Sequence, residues 1–144
     1  MLMIRARQLD VFQPVAEAAF VRRIVVHLRT SHADAVIQFP NEVILVKQIS
    51  DERLRQMVED GIARARNYGM DWESTITAFV VLMVVAAPNF DGHPLIERVL
   101  RDERASANSR IDQLWERTSE ENWEVVRKNY DPTAWMTDSR KDSR

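Results

Sequence analysis

Residues 76–87 form an almost uninterrupted apolar run, with charge-rich sequence on both sides. The run is shorter than the roughly 20 apolar residues that a membrane-spanning helix needs. It is long enough for one helix that is apolar on every side, and a water-soluble protein has to bury such a helix completely. We therefore predict a central helix over residues 72–87, capped by Asp71 and ended by Pro88.

Composition favours one helical domain around that segment. The chain has 144 residues, of which 45% are hydrophobic and 29% charged, which is ordinary for a single globular domain. Only three residues are glycine, so a fold with many tight turns is disfavoured. The net charge of −2 offers no basic field for nucleic acid or an anionic membrane surface.

The chain contains no cysteine. Disulfides, thiolate nucleophiles and cysteine-based zinc sites are therefore excluded. The first seven residues lack the apolar segment of a signal peptide. Together these features predict a cytoplasmic protein.

Apolar spacing predicts helices on both sides of the central one. Residues 4–12 form an opening helical turn, and Pro14 starts a helix to about Thr30. Ser50 or Asp51 caps the next helix. The predicted buried face of that helix consists of Leu54, Met57, Val58, Ile62 and Ala65.

The two glycines of this region have separate predicted roles. Gly61 lies inside the helix, where glycine costs about 1 kcal/mol relative to alanine, so we expect another helix to approach closely there. Gly69 is placed to end the helix in the left-handed conformation.

The remaining segments leave two alternatives open. Residues 35–47 contain two short β-branched runs that fit a small hairpin, although an isolated hairpin is marginal unless it packs on something. Pro94 starts a short helix to about Glu103. Residues 108–129 form either one unbroken helix or two, with Thr118 to Glu121 capping the second.

The predicted fold is therefore all-α. It is a single-domain bundle of about five or six helices around the apolar helix, with a possible small hairpin. The domain covers residues 1–131, and residues 132–144 are a polar, flexible tail.

No motif of the sequence predicts a reaction. A helix-turn-helix outline at residues 51–87 fails, because its second helix would offer no polar side chains to base edges. Phosphate-binding glycine loops and a GxSxG nucleophile elbow are absent. His27 and His32, five residues apart, lie on different parts of a helix surface and do not form a metal pair.

Asp91 and His93 are the one compact polar pair on a predicted loop. They could hold a metal ion or act as an acid–base pair. The favoured interpretation is a helix-entry loop in which Asp91 accepts backbone N–H bonds and His93 is exposed. We therefore expect no enzyme activity, no catalytic or metal-ligating residues and no cofactor.

The tryptophans are the remaining candidates for a binding role. Trp115 fits a core stripe of the last long helix, whereas Trp123 lies off that stripe and Trp135 lies in the tail. Exposed tryptophans are enriched at interaction hot spots, but tryptophan is also highly buried on average. Trp123 and Trp135 therefore either contact a partner or fold back onto the helices.

Several stretches resemble one family of small helical bacterial proteins, which are encoded in type VI secretion gene clusters beside PAAR-type spike proteins and toxic effectors. The stretches that carry this resemblance, within residues 4–118, are Ile4–Phe12, His27–Arg29, Leu54–Arg55, Gly61–Gly69, Phe90–Pro94, Ile96–Leu100 and Arg110–Trp115. Residues 33–49 depart from the family by being longer and more strand-like.

The resemblance implies a non-enzymatic adaptor or chaperone that binds an effector or its spike carrier before secretion. An immunity protein that neutralises a cognate toxin is the alternative. The expected partner is a protein rather than nucleic acid or membrane, and a homo-oligomer is possible. An exposed apolar groove would favour the chaperone, and an exposed acidic patch would favour immunity against a nuclease. The candidate partner-binding residues are Phe90, Asp91, His93, Trp123, Trp135 and Met136.

Overall fold

A computed structural model describes residues 2–136, with side chains from Ala16 to Trp135. The described part is mostly helical, as predicted, and includes the small hairpin. Its α-helices are α1 (Leu2–Ser31), α2 (Asp51–Asn67), α3 (Glu73–Val85), α4 (Pro94–Leu100), α5 (Arg110–Arg117) and α6 (Glu120–Lys128). Strands β1 (Val36–Phe39) and β2 (Glu42–Leu45) form an antiparallel pair. Short 3₁₀ turns cover Val46–Gln48, Phe90–Gly92, Ala107–Ser109 and Pro132–Met136.

Helix α3 is the predicted apolar helix, and it contacts α1, α2, α5 and β1. Phe79 and Met83 are fully buried. The helix is shorter than predicted, and burial on every side was wrong, because Val85 is 43% exposed. One side of its last turn therefore faces solvent.

The predicted cap of α3 was also wrong. Trp72 occupies the capping position, and its side chain makes no capping bond. Asn108 Oδ1 instead accepts from the backbone N–H groups of Asp71 and Trp72, each at 3.0 Å. The Asn108 amide also donates to the Asp71 carboxylate at 2.6 Å. A residue 36 positions along the chain from Trp72 thus binds the two backbone amides that directly precede the helix.

Helix α2 follows the sequence prediction closely. The Ser50 hydroxyl accepts from the Arg53 N–H at the start of the helix, and the predicted apolar face is buried. A Cβ built at Gly61 would lie 2.9 Å from Val80 Cγ2 and 3.1 Å from Met83 Sδ of α3. Gly69 has a φ of 94°. Both glycines therefore have the predicted roles: one permits close helix packing, and the other turns the chain.

Helix α1 is one helix from Leu2 to Ser31, so the predicted boundary at Pro14 was wrong. Phe20, Ile24 and Leu28 form its buried stripe, as the spacing predicted. Arg66 of α2 holds Glu17 with two hydrogen bonds, at 2.8 and 3.0 Å.

The second contact between these helices lies at the other end of α2. Arg29 of α1 pairs with Asp51 of α2 at 2.7 Å. Glu17 and Arg29 are thus paired with opposite ends of α2, and the two helices run antiparallel.

The hairpin is anchored on the helices from one face. Ile37 and Phe39 are buried in the common core, and the Arg53 guanidinium lies 3.5 Å from the Phe39 ring centroid. The Gln38 N–H donates to the Tyr130 hydroxyl at 3.0 Å. Packing and bonding of this kind explain why so short a hairpin is stable here.

The last two helices correct the prediction for the tryptophans. Ser119 caps α6 in a reciprocal pair with Asn122, so the second of the two predicted alternatives is confirmed. Because the helix ends at Arg117 and a new one begins at Glu120, the continuous stripe to which Trp115 was assigned is interrupted. Trp115 is 56% exposed rather than in the core, and Trp123 is buried.

Helix α4 ends at Leu100 rather than Glu103. The predicted tail begins with an ordered 3₁₀ turn at Pro132–Met136, and Trp135 is buried against the ring of Phe39. The rest of the predicted flexible tail lies outside the described residues.

Candidate functional site

The structure does not bring Asp91 and His93 together as an acid–base pair. Both Asp91 oxygens are occupied: Arg64 Nη2 donates to Oδ1, and the Tyr68 hydroxyl donates to Oδ2 at 2.7 Å. His93 Nδ1 accepts from the Leu95 N–H at 3.2 Å and caps α4. The predicted backbone partners of Asp91 were wrong, because the side chains of Arg64 in α2 and of Tyr68, just after α2, donate to its carboxylate instead.

The Asp91 cluster holds the segment after α3 against α2. Arg64 also donates to the Pro88 carbonyl at 2.7 Å, so one guanidinium joins two points of that segment. The Arg101 guanidinium lies 4.9 Å from the Tyr68 ring centroid. A polar cavity of about 230 Å³ lies beside these groups and is lined by Arg64, Asn67, Tyr68, Asp91 and Arg101.

Burial and the hydrogen bond to Asp91 raise the pKa of Tyr68 above its ordinary value of 10.0. The neutral phenol is therefore the form that folding stabilises. Arg64 and the neutral phenol of Tyr68 both donate to Asp91, and we call these three residues the clasp because they join α2 to the segment after α3.

Alkaline titration tests this clasp. Since the folded-state pKa of Tyr68 is raised, its contribution to stability is present below pH 10 and is lost as the pH rises beyond it. We expect Tyr68→Phe to flatten the decline of unfolding free energy above pH 10. The measurement is urea unfolding at several alkaline pH values, with phenolate absorbance as a second readout. Burial also raises the pKa of Tyr130, the other tyrosine, so Tyr130→Phe is the matched comparison. A Tyr68 phenol with the same pKa as free tyrosine would contradict the clasp.

The aromatic candidates lie mostly inside the protein. Phe90 is fully buried, with its ring centroid 5.0 Å from that of Phe79 and 6.2 Å from that of Trp123. Trp123 stacks on the exposed Trp115 at 5.8 Å. Trp123 thus folds back onto the helices, as Trp135 does. The side chain of Met136 lies outside the described side chains.

A groove between α1 and α2 is a site that the sequence did not reveal. Its volume is about 530 Å³. Val21 and Val25 lie at its base, and Val26 beside them is 54% exposed. The lining residues are Ala18, Val21, Arg22, Val25, Val26, Arg29, Thr30, Asp51, Arg55 and Glu59. The α1 side is thus largely aliphatic, and the α2 side is charged.

Most charges of the groove already have partners. Arg29 donates to Asp51 and to the carbonyls of Val46 and Ile49. Arg55 pairs with Glu59 at 2.7 Å and also with Glu52. Arg22 is exposed and has no ion pair with any other side chain from Ala16 to Trp135. Among the described side chains that line the groove, Arg22 is therefore the cation left without an ion pair.

A second surface feature surrounds Trp115. Asp112 and Glu116 flank Trp115 on α5, and Glu120 and Glu124 flank Trp123 at the same spacing on α6. These carboxylates and that of Glu121 are exposed and form no ion pair within the described part of the chain. The stacked tryptophans bring α5 and α6 together, and we call the surface that carries these five carboxylates the acidic face.

Comparison of the chain with protein-family models, curated proteins and solved structures gives no match. Among the described residues, no group of histidine and carboxylate side chains is arranged to hold a metal ion. Within the same residues, no helix is both long enough and apolar enough to cross a membrane. Function has to be argued from the two surfaces alone.

Proposed function

We propose that this chain is a non-enzymatic adaptor or chaperone that holds a segment of another protein in the α1–α2 groove. The observation that supports this proposal is a groove of about 530 Å³ whose α1 wall is largely aliphatic and carries the 54% exposed Val26. Exposed apolar surface of this kind commonly marks a site of protein interaction. Following the family resemblance of the sequence, the proposed partner is a type VI secretion effector or its PAAR-type spike carrier.

Coexpression with the products of the neighbouring genes tests the adaptor. We expect an effector or spike protein to copurify with the wild-type chain, and Val26→Asp to reduce the recovered amount at least about tenfold. The reason is that the new carboxylate must lose its hydration when the partner covers it, even with Arg22 four residues away as a counterion.

Val43→Asp is the matched control, because Val43 is also solvent-facing, at 68% exposed, and lies outside the groove. The amount of partner that copurifies with Val43→Asp should match the amount recovered with the wild-type chain. Recovery of neither type of partner, or equal loss in both variants, would contradict the adaptor.

The acidic face around Trp115 favours a second candidate, an immunity protein that blocks a nuclease. Five exposed carboxylates beside an exposed tryptophan complement a basic nucleic-acid-binding surface. An immunity protein should protect cells that express the toxin, and Trp115→Ala should abolish protection while Val26→Asp should not. If the chain is an adaptor, Val26→Asp should reduce partner recovery and Trp115→Ala should not.

A further inference from the structure

We propose that the groove receives one amphipathic helix of about three turns, and that a carboxylate of this helix faces Arg22. The inference rests on the proposed binding function and specifies what kind of segment is bound. It concerns a segment of the partner protein, with aliphatic residues on one stripe and an acidic residue on the flank next to α1.

The walls of the groove select a helix over an extended strand. Both walls are α-helices, whose interior N–H and C=O groups are already bonded within each helix. An extended peptide would find no ladder of free backbone groups to pair with, and its own buried groups would remain unsatisfied. A helix satisfies its backbone internally and needs only side-chain contacts from the groove.

The shape of the groove fits a third helix. The α1 wall is a row with four-residue spacing, Ala18, Arg22, Val26 and Thr30, and the α2 wall has the same spacing at Asp51, Arg55 and Glu59. Rows of this spacing are the ridges between which another helix packs. From Ala18 to Thr30 the row is about 18 Å long at 1.5 Å per residue. The occupant is therefore a helix of about twelve residues.

The charges define the orientation of that helix about its own axis. Arg29 and Arg55 are paired with Asp51 and Glu59, so the α2 wall is close to neutral. Arg22 in the middle of the α1 wall has no such pair among the described side chains. A carboxylate is the group that complements it, and a lysine at the same place would be repelled.

A designed peptide provides the test. The probe is a fluorescein-labelled, hydrocarbon-stapled helix of about 14 residues, with leucine at every fourth position and one glutamate on the flank. A second probe has lysine in place of that glutamate. We expect saturable binding of the glutamate probe by fluorescence anisotropy, a weakening of at least about tenfold in Val26→Asp, and about fivefold in Arg22→Glu. Arg22→Glu should instead prefer the lysine probe.

The control is again Val43→Asp, which should bind the glutamate probe as the wild type does. Melting by circular dichroism checks that every variant is folded. Absence of saturable binding, or equal binding of both probes by the wild type and Arg22→Glu, would overturn the inference. If the probes fail in this way but an effector or spike protein still copurifies, the adaptor proposal is retained and only the helical ligand is rejected. If the probe binds but no effector or spike protein is recovered, the adaptor is rejected.

Discussion

Replacing Phe79 with alanine is expected to lower the free energy of unfolding by about 3–5 kcal/mol. The side chain is fully buried in the middle of α3. The centroid of its ring lies 5.0 Å from that of Phe90 and 5.8 Å from that of Tyr68. Removal of the ring therefore opens a cavity between α3 and two neighbouring segments. Because helix packing surrounds the site, the cavity cannot close without moving a backbone.

The measurement is urea unfolding followed by far-ultraviolet circular dichroism. Val85→Ala is the matched control on the same helix, because that valine is 43% exposed. It should shift the unfolding free energy by less than about 1 kcal/mol. Equal effects of the two substitutions would show that α3 is not the centre of the core.

The local sequence pattern was sufficient to predict the structure of those segments whose conformation depends only on nearby residues. The Ser50 cap, the buried stripe of α2 and the positive φ of Gly69 were all predicted correctly. Each depends on residues a few positions apart, so propensity and spacing carry the information. The hairpin was predicted with its boundaries nearly correct, although its stability comes from Tyr130 and Arg53 elsewhere in the chain.

Long-range contacts explain the errors. Asp91 meets Arg64 across 27 positions and Asn108 reaches Trp72 across 36, and neither pair leaves a periodic signal. Trp115 was wrongly placed in the core because it was assigned to a continuous stripe, whereas folding back onto the helices was one of the two alternatives left open for Trp123. The break at Thr118 starts a new helix with a different buried face.

The sequence did not predict the groove, because the groove also depends on contacts between distant segments. It belongs to neither helix, and it exists only because α1 and α2 pack antiparallel with ion pairs at both ends. The sequence does contain the α1 row at four-residue spacing (Ala18, Arg22, Val26 and Thr30), but that row alone does not show that a neighbouring helix leaves it open. The acidic face had a readable signal, an acidic residue three before and another one after each of two tryptophans.

Gly61→Val is expected to cost about 2–3 kcal/mol of unfolding free energy. A Cβ at this position would already be 2.9 Å from Val80 Cγ2, and valine adds two methyl groups to it. The better helix propensity of valine offsets only a few tenths of a kcal/mol. Urea unfolding measures the loss, and Gly92→Ala serves as the control because no atom lies within 4 Å of the added Cβ there. A Gly61→Val variant as stable as the wild type would show that α3 can shift to relieve the clash at no cost in stability.

The same substitution also connects the core to the proposed binding site. Val80 and Met83 lie in buried α3, so the strain is relieved more easily by moving α2 away than by shifting α3. Helix α2 carries Asp51, Arg55 and Glu59, the charged wall of the groove. Gly61→Val should therefore weaken binding of the glutamate probe severalfold at temperatures where the variant is still folded. Unchanged probe affinity would place the strain within α3 and leave the groove independent of this helix contact.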